Sequence, residues 1–145
     1  MGNSKAEIMN GLFKKYGLNA EDHVFKHQHY TIITRAGIDQ IQAQAGISIR
    51  YEVVDSLCVP MDDRYVVKAT GILDDVTIET FGEVNAKNNR NSYPIAMAEK
   101  RAMSRAVLKL AGFYALGIFG EDEAEDFSKA VKEGRKAETL KPVIK

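Results

Sequence analysis

The periods at which apolar residues recur divide the chain into helices and strands. Apolar side chains three or four residues apart predict three amphipathic helices. The first runs from a Ser4 cap to Gly17, the second from Thr34 to Gly46, and the longest from Pro94 to Gly112. Proline suits a first helical turn, and glycine supplies a stop at a helix end.

Between the second and third helices, apolar and polar residues alternate at every second position, which is typical of strands with one buried face. The stretches are 47–53, 65–71 and 76–80, and short turns at 60–63 and 74–75 separate them. A further short strand, 30–34, precedes the second helix. The pattern predicts an α+β fold: an antiparallel meander of three to four strands packed against the long helix, with an N-terminal helix and a short C-terminal helix.

At 145 residues the chain has room for one full core. We assign 1–127 to a single domain. We assign 128–145 to a C-terminal helix and a flexible tail. The helix itself is predicted over 124–135. With 45% apolar and 28% charged residues and no apolar run of about 20 residues, we expect no membrane span and a cytoplasmic protein. A single cysteine, Cys58, leaves no partner for an internal disulfide.

The formal net charge is zero, but the charges are segregated into blocks. Arg101, Arg105 and Lys109 recur every four residues along the long helix, so they form a basic row on one edge of its apolar face, with Lys100 further round. Lys87 and Arg90 lie in the polar loop that leads into this helix. These cations are either solvated surface groups or the lip of a groove that holds a phosphate backbone.

The small residues Ala98, Ala102 and Ala106 favour the groove, because they predict close packing of the helix on a flat sheet. Arg35 opens the second helix, where exposed backbone N–H groups already favour an anion. It is interpreted either as part of a phosphate seat or as the partner of a nearby acid, and its position supports both equally.

Two patterns invite a metal or an enzyme. His23, His27 and His29 lack a carboxylate or cysteine at a usual ligand spacing, so we expect ordinary histidines. Five acids within 121–126 are better read as a charged surface or subunit contact than as a Mg²⁺ site, because contiguous carboxylates point in different directions. No nucleotide-binding G-x-x-x-x-G-K-[ST] loop occurs. We therefore expect no cofactor and no catalytic residues.

Four passages resemble the Rad-fifty-two family of single-strand annealing proteins, together with Erf-like phage recombination proteins. They are Tyr30-Thr31-Ile32-Ile33-Thr34-Arg35 before an isoleucine-spaced helix; Tyr65-Val66-Val67-Lys68-Ala69 to Thr80-Phe81-Gly82-Glu83; Ala98-Glu99-Lys100-Arg101-Ala102 with Arg105-Ala106; and Tyr114-Ala115-Leu116-Gly117 followed by acids. The match spans roughly 30–127. It departs from the family at Ser104, where a second lysine is frequent, and by one extra residue within 108–113.

The resemblance implies an oligomeric ring or filament that holds single-stranded DNA by its phosphates and anneals complementary strands without ATP. It implies phosphate contacts by Arg35, Arg101, Arg105 and Lys109 inside the groove, with Lys87 and Arg90 outside and Lys100 beside the row. Tyr30, Tyr65 and Tyr93 are candidates for stacking on bases, although strand aromatics are more often core. An exonuclease or a single-strand-binding protein is a further expected partner. The alternatives are a non-catalytic protein-binding scaffold and, less favoured, a metal-dependent nuclease.

Overall fold

The computed structural model describes residues 4–27, 30–86 and 93–122. Its elements, in chain order, are helix α1 (Lys5–Tyr16), strands β1 (Val24–His27) and β2 (Tyr30–Ile33), helix α2 (Arg35–Ala45), strands β3 (Ser48–Val53), β4 (Tyr65–Leu73) and β5 (Val76–Val84), helix α3 (Pro94–Ala111) and strand β6 (Phe119–Gly120). Single 3₁₀ turns occupy Asp55–Leu57, Pro60–Asp62 and Tyr114–Leu116. The α+β class predicted from the sequence is confirmed.

Short side chains start the first two helices as predicted. The Ser4 hydroxyl accepts a hydrogen bond from the Glu7 backbone N–H at 3.2 Å, and the Glu7 carboxylate accepts one from the Ser4 N–H at 2.9 Å. Thr34 caps α2 by accepting from the Gly37 N–H at 3.1 Å. Each of α1, α2 and α3 is followed by a glycine in the left-handed region, where the missing Cβ removes the steric penalty.

Two three-stranded sheets make up the β structure of the described residues. One has the order β3-β4-β5 and is antiparallel throughout, with Tyr51 opposite Ala69 and Lys68 opposite Phe81. The other has the order β1-β2-β6, in which β6 runs parallel to β2 and pairs Ile33 with Gly120.

This second sheet was not predicted. Residues 24–27 pair with β2 in register from Val24 opposite Ile33 to His27 opposite Tyr30. The two-residue strand β6 is too short to show any period. Its place beside β2 depends on contacts between distant parts of the chain, which local patterning does not encode.

Helix α3 approaches the β3-β4-β5 sheet closely through its small residues. Ala98 packs with Val67 and Val84, and Ala102 and Ala106 pack with Ala69. Opposite them, the Thr80 hydroxyl donates to the Ala102 carbonyl at 2.6 Å.

The other side of α3 is buried as well. Met103, Val107, Leu108 and Ala111 join side chains of α1, α2 and the 113–118 segment in the largest core cluster, whose remaining buried members are Tyr16, Ile33, Ile38, Ile41, Ile47, Phe113 and Ile118. The prediction of a single apolar face on the long helix is therefore wrong in detail. Ile95 is exposed, whereas the second half of the helix is enclosed on most of its circumference.

Several expectations fall outside the described residues. They concern the loop over 87–92, the helix over 124–135, the tail and the boundary at 127. Within the ranges that the structure describes, no helix combines the length and apolarity needed to cross a membrane.

Gly82 tests the close contact between α3 and β5. A Cβ at this position would overlap the Ala98 carbonyl oxygen and lie 2.6 Å from the Ala102 nitrogen. Both obstacles are backbone atoms, so Gly82→Ala should lower the free energy of unfolding by about 3 kcal/mol.

The matched control is Gly11→Ala in α1, where an added Cβ meets nothing within 4 Å. It should raise stability by about 0.5–1 kcal/mol, because alanine loses less backbone entropy in a helix. Denaturant unfolding at one fixed protein concentration measures both. An equal effect of the two substitutions would show that helix and strand are not in contact at Gly82.

Candidate nucleic-acid interface

The two arginines of the basic row of α3 lie along the open edge of strand β5. The Arg101 Nη1 donates to the Glu83 carbonyl at 3.0 Å, and the Arg105 Nη1 donates to the Phe81 carbonyl. Glu83 and Phe81 lie opposite Val66 and Lys68, two residues apart along each strand. In an antiparallel pair, residues two apart direct their backbone groups to the same side, and here that side is the unpaired edge.

The spacings of helix and strand explain why two arginines fit this edge. A step of four residues rises about 6 Å along an α-helix, and two residues of a strand cover about 6.7 Å. Arginines at i and i+4 on α3 therefore meet carbonyls at j and j−2 on β5. An open strand edge invites pairing with another chain, and the guanidinium groups occupy two of its acceptors.

Arg101 requires a correction. The sequence predicted an open phosphate contact, but the side chain is only 1% exposed and is among the largest fully buried ones in the described residues. Helix α3 is covered by the sheet on one side and by the main core on the other. The Arg101 side chain therefore lies between α3 and the edge of the sheet, where it contacts the Glu83 carbonyl. In this arrangement Arg101 is a structural residue that links α3 to β5.

Arg105 is only partly buried and reaches an open cavity. This β5-edge cleft has a volume of about 350 Å³ and is lined by Leu57, Arg64, Val66, Phe81, Glu83 and Arg105. Val66 and Phe81 alternate with Val67 and Gly82, which meet α3, so the cleft lies on the sheet face turned away from the helix. Arg105 thus extends past the edge of β5 toward the outer face.

The chemistry of the β5-edge cleft is mixed. Phe81 and Leu57 are exposed apolar side chains, and the Arg64 Nε lies 3.4 Å from a Glu83 carboxylate oxygen. The cleft therefore presents two guanidinium groups and one carboxylate around an apolar surface. Neither Arg64 nor Phe81 had been predicted as a site residue, because a turn arginine and a strand phenylalanine carry no distinctive spacing.

Arg35 already has acidic partners. Its backbone N–H donates to Glu121 Oε1 at 2.7 Å, and its Nη1 lies 3.4 Å from Asp122 Oδ2. Asp39 lies one turn along α2, at 4.0 Å from the Arg35 Nε. Of the two interpretations of Arg35, the ion pair is therefore the one present in this structure.

The remaining predicted cations are dispersed. Lys100 and Lys109 are exposed, and the Lys109 ammonium lies 5.5 Å from the centre of the Tyr114 ring. Lys87 and Arg90 lie outside the described residues. Instead of one continuous row, the structure places Arg105 at the β5-edge cleft and Arg35 at the start of α2. Ser104 links α3 to the Arg35 site by donating to Asp122 Oδ2 at 3.1 Å.

The three candidate stacking tyrosines differ in environment. Tyr30 packs edge-on against Phe119 with ring centres 6.2 Å apart, and Tyr65 packs partly buried against the Val67 cluster. Tyr93 is exposed at the start of α3. Only Tyr93 therefore presents much of its ring to solvent.

Tyr51 is an additional exposed aromatic that had not been singled out. It pairs with Ala69 on the helix-facing side of β3, but α3 covers mainly β4 and β5, so the ring remains 41% exposed. Partial burial raises the pKa of its phenol, and the negative charge of Glu99 raises it further, whereas Arg35 acts in the opposite direction. The half-exposed phenol of Tyr51 is therefore influenced by the charges of both Glu99 and Arg35.

In the described ranges, no three histidine, cysteine, aspartate or glutamate side chains cluster as metal ligands. Glu121 and Asp122 point to α2, and the other acids of the block lie outside the described residues. His23 accepts a hydrogen bond from the Asn19 N–H through Nδ1 at 3.1 Å, as expected of an ordinary histidine.

The protein was compared with family models, curated proteins and solved structures, and none of the three comparisons gave a match. The resemblance to the annealing family thus remains a hypothesis that rests on the sequence passages quoted above.

The phenol of Tyr51 provides a test of this local geometry. Its pKa should lie above the ordinary value of 10.0, and Glu99→Gln should lower it because a negative neighbour is removed. Since the folded state holds this proton more tightly, its contribution to stability is present below pH 10 and is lost as the pH rises through the raised pKa.

Ring ¹³C NMR of labelled tyrosine follows the titration directly. Glu52→Gln is the matched control, because Glu52 neighbours Tyr51 in sequence but points to the opposite face of β3. A Tyr51 that titrates at the ordinary value in the unmodified protein would contradict the described surroundings.

Proposed function

We propose that this protein binds single-stranded DNA by its phosphate backbone and anneals complementary strands without ATP, as an oligomer. The observation that carries the proposal is the β5-edge cleft, in which Arg64 and Arg105 flank the exposed ring of Phe81. Cations that bind phosphates, together with an aromatic surface for bases, are the usual elements of sites for single strands.

The fold supports the same proposal. The antiparallel β3-β4-β5 sheet, with α3 packed on β4 and β5, is the arrangement that the family resemblance implies. It holds Arg105 at a fixed place on the sheet edge, because the guanidinium group is already hydrogen-bonded to the Phe81 carbonyl. A fixed cation loses little conformational freedom when it binds a phosphate.

Annealing needs bases that remain available for pairing. In the proposed mechanism Arg64 and Arg105 bind phosphates, which lowers the repulsion between two DNA strands. Phe81 supports one base face by stacking and leaves the hydrogen-bonding edge of that base accessible. Oligomerisation would repeat the cleft along one strand. Glu83 opposes phosphate binding, so the affinity of one cleft is modest and the repeat is needed.

The test is the double variant Arg64→Gln with Arg105→Gln. Its affinity for a labelled oligonucleotide should fall about tenfold at low salt, and the slope of log affinity against log salt should become shallower by about 1.4, or 0.7 for each lost phosphate contact. The rate of annealing of two complementary strands, without nucleotide or Mg²⁺, should fall in parallel. Arg101 is left unchanged in this variant, because its side chain is buried.

Lys14→Gln with Lys26→Gln is the matched control, since it removes two exposed positive charges elsewhere. It should leave affinity and slope nearly unchanged, and thermal unfolding should show that both variants are folded. Equal effects of the two pairs would indicate a nonspecific charge effect and reject the β5-edge cleft. Light scattering with and without the oligonucleotide measures the subunit number, and intact strands after incubation with Mg²⁺ exclude the nuclease alternative.

A protein-binding scaffold is the second candidate. It is favoured by the engagement of Arg35 and Arg101 within the protein. It is also favoured by the exposed apolar side chains of Leu57, which lines the β5-edge cleft, and of Val59 and Met61 in the same segment before β4. Exposed apolar groups at one place are typical of surfaces that bind proteins. If the unmodified protein does not bind an oligonucleotide at low salt, the protein-binding scaffold becomes the favoured function.

A further inference from the structure

The contact between Arg35 and the acids after β6 has the form of a filled anion site. The Glu121 carboxylate accepts the hydrogen bond of the Arg35 N–H, and the Asp122 carboxylate lies against the Arg35 guanidinium. Asp122 is also held by the Ser104 hydroxyl at 3.1 Å and is only 14% exposed. Arg35 itself is 37% exposed, so a ligand from solvent can reach it.

The groups that hold these carboxylates are also those that bind phosphate. A guanidinium group binds carboxylate and phosphate oxygens with the same geometry, and both anions accept well from a backbone N–H at the start of a helix. The Thr34 side chain caps the Gly37 N–H, which leaves the Arg35 N–H to the incoming anion. Glu121 and Asp122 thus stand where two phosphate oxygens would bind.

The pairing of β6 with β2 positions Glu121 and Asp122 beside Arg35. Strand β6 pairs parallel with β2, and Gly120 lies opposite Ile33. The next residues on the two strands are therefore neighbours, which brings Glu121 and Asp122 beside Thr34 and Arg35. Because the acids are tethered by this short path, their effective concentration at Arg35 reaches the millimolar range or above. An external phosphate must compete with them.

We infer that Glu121 and Asp122 form an autoinhibitory contact, which occupies Arg35 as a mimic of DNA phosphate and is displaced when single-stranded DNA binds. The inference rests on the proposed function and concerns its regulation. DNA that contacts only one protomer gains too little binding free energy to displace the acids. A strand that is also bound by the β5-edge clefts of several protomers gains enough binding free energy, so the contact favours long strands over short ones.

The experiment compares Glu121→Gln with Asp122→Asn, made together, against Asp74→Asn with Asp75→Asn. Both pairs remove two negative charges, and the control pair lies in the β4–β5 turn, six residues or about 20 Å along β5 from Phe81. Asparagine tolerates the positive φ of 54° at position 74. The first pair should tighten binding of a short oligonucleotide about tenfold, and the control should change it less than about twofold.

Arg35→Gln completes the comparison. In the unmodified protein it should change affinity for the short oligonucleotide less than about twofold, because Arg35 is already occupied. In the Glu121→Gln, Asp122→Asn background it should remove the tenfold gain. If Arg35→Gln has the same effect in both backgrounds, or if the first pair binds no tighter than the control, the autoinhibitory contact is rejected.

A second measurement separates failure of this inference from failure of the proposed function. Inorganic phosphate is titrated into ¹⁵N-labelled protein, and the backbone amide signal of Arg35 is followed by NMR. The signal should move at millimolar phosphate in the double variant and stay in place in the unmodified protein, whether or not either protein binds DNA. An amide that is indifferent to phosphate in both proteins overturns the inference. If the double variant does not fold, Glu121→Gln alone is used in both measurements with the same criteria.

Discussion

The close contact between helix α3 and the edge strand β5 is the constraint on which the rest of the structure depends. Gly82 lets the helix backbone approach the strand, and the Thr80 hydroxyl reaches the Ala102 carbonyl across the contact. Arg101 and Arg105 then satisfy two carbonyls along the open edge. Because α3 is also buried on its other side by α1 and α2, this contact links the sheet to the main core.

The same contact places the two arginines of the basic row in different environments. Arg101 is enclosed and links the helix to the strand, whereas Arg105 uses the strand edge as a support and reaches the β5-edge cleft. Arg35 is set apart at α2 with its own acidic partners. Although the chain has no net charge, the cleft brings together two guanidinium groups, of Arg64 and Arg105, and one carboxylate, of Glu83.

Local patterning predicted the parts of this fold that depend on local physics. The caps at Ser4 and Thr34 and the helix ends at Gly17, Gly46 and Gly112 follow from backbone hydrogen bonding and conformational freedom within a few residues. The small residues Ala98, Ala102 and Ala106, which favoured close packing, lie among Val67, Val84 and Ala69 of the sheet. The burial of Arg101 could not be predicted, because helical spacing gives the direction of a side chain but not which elements enclose it. The β2–β6 pairing, and with it the contact of Asp122 with Arg35, depends on residues about ninety positions apart.

The most direct test of this account is an oligonucleotide titration observed through the arginine side-chain N–H signals of ¹⁵N-labelled protein. The account predicts that Arg101 exchanges its guanidinium protons slowly with water and keeps its signal position, because it is buried against the Glu83 carbonyl. Arg64 and Arg105 should shift as DNA is added. Rapid exchange at Arg101, together with a shift at Arg101 as large as that at Arg105, would contradict the division of the basic row.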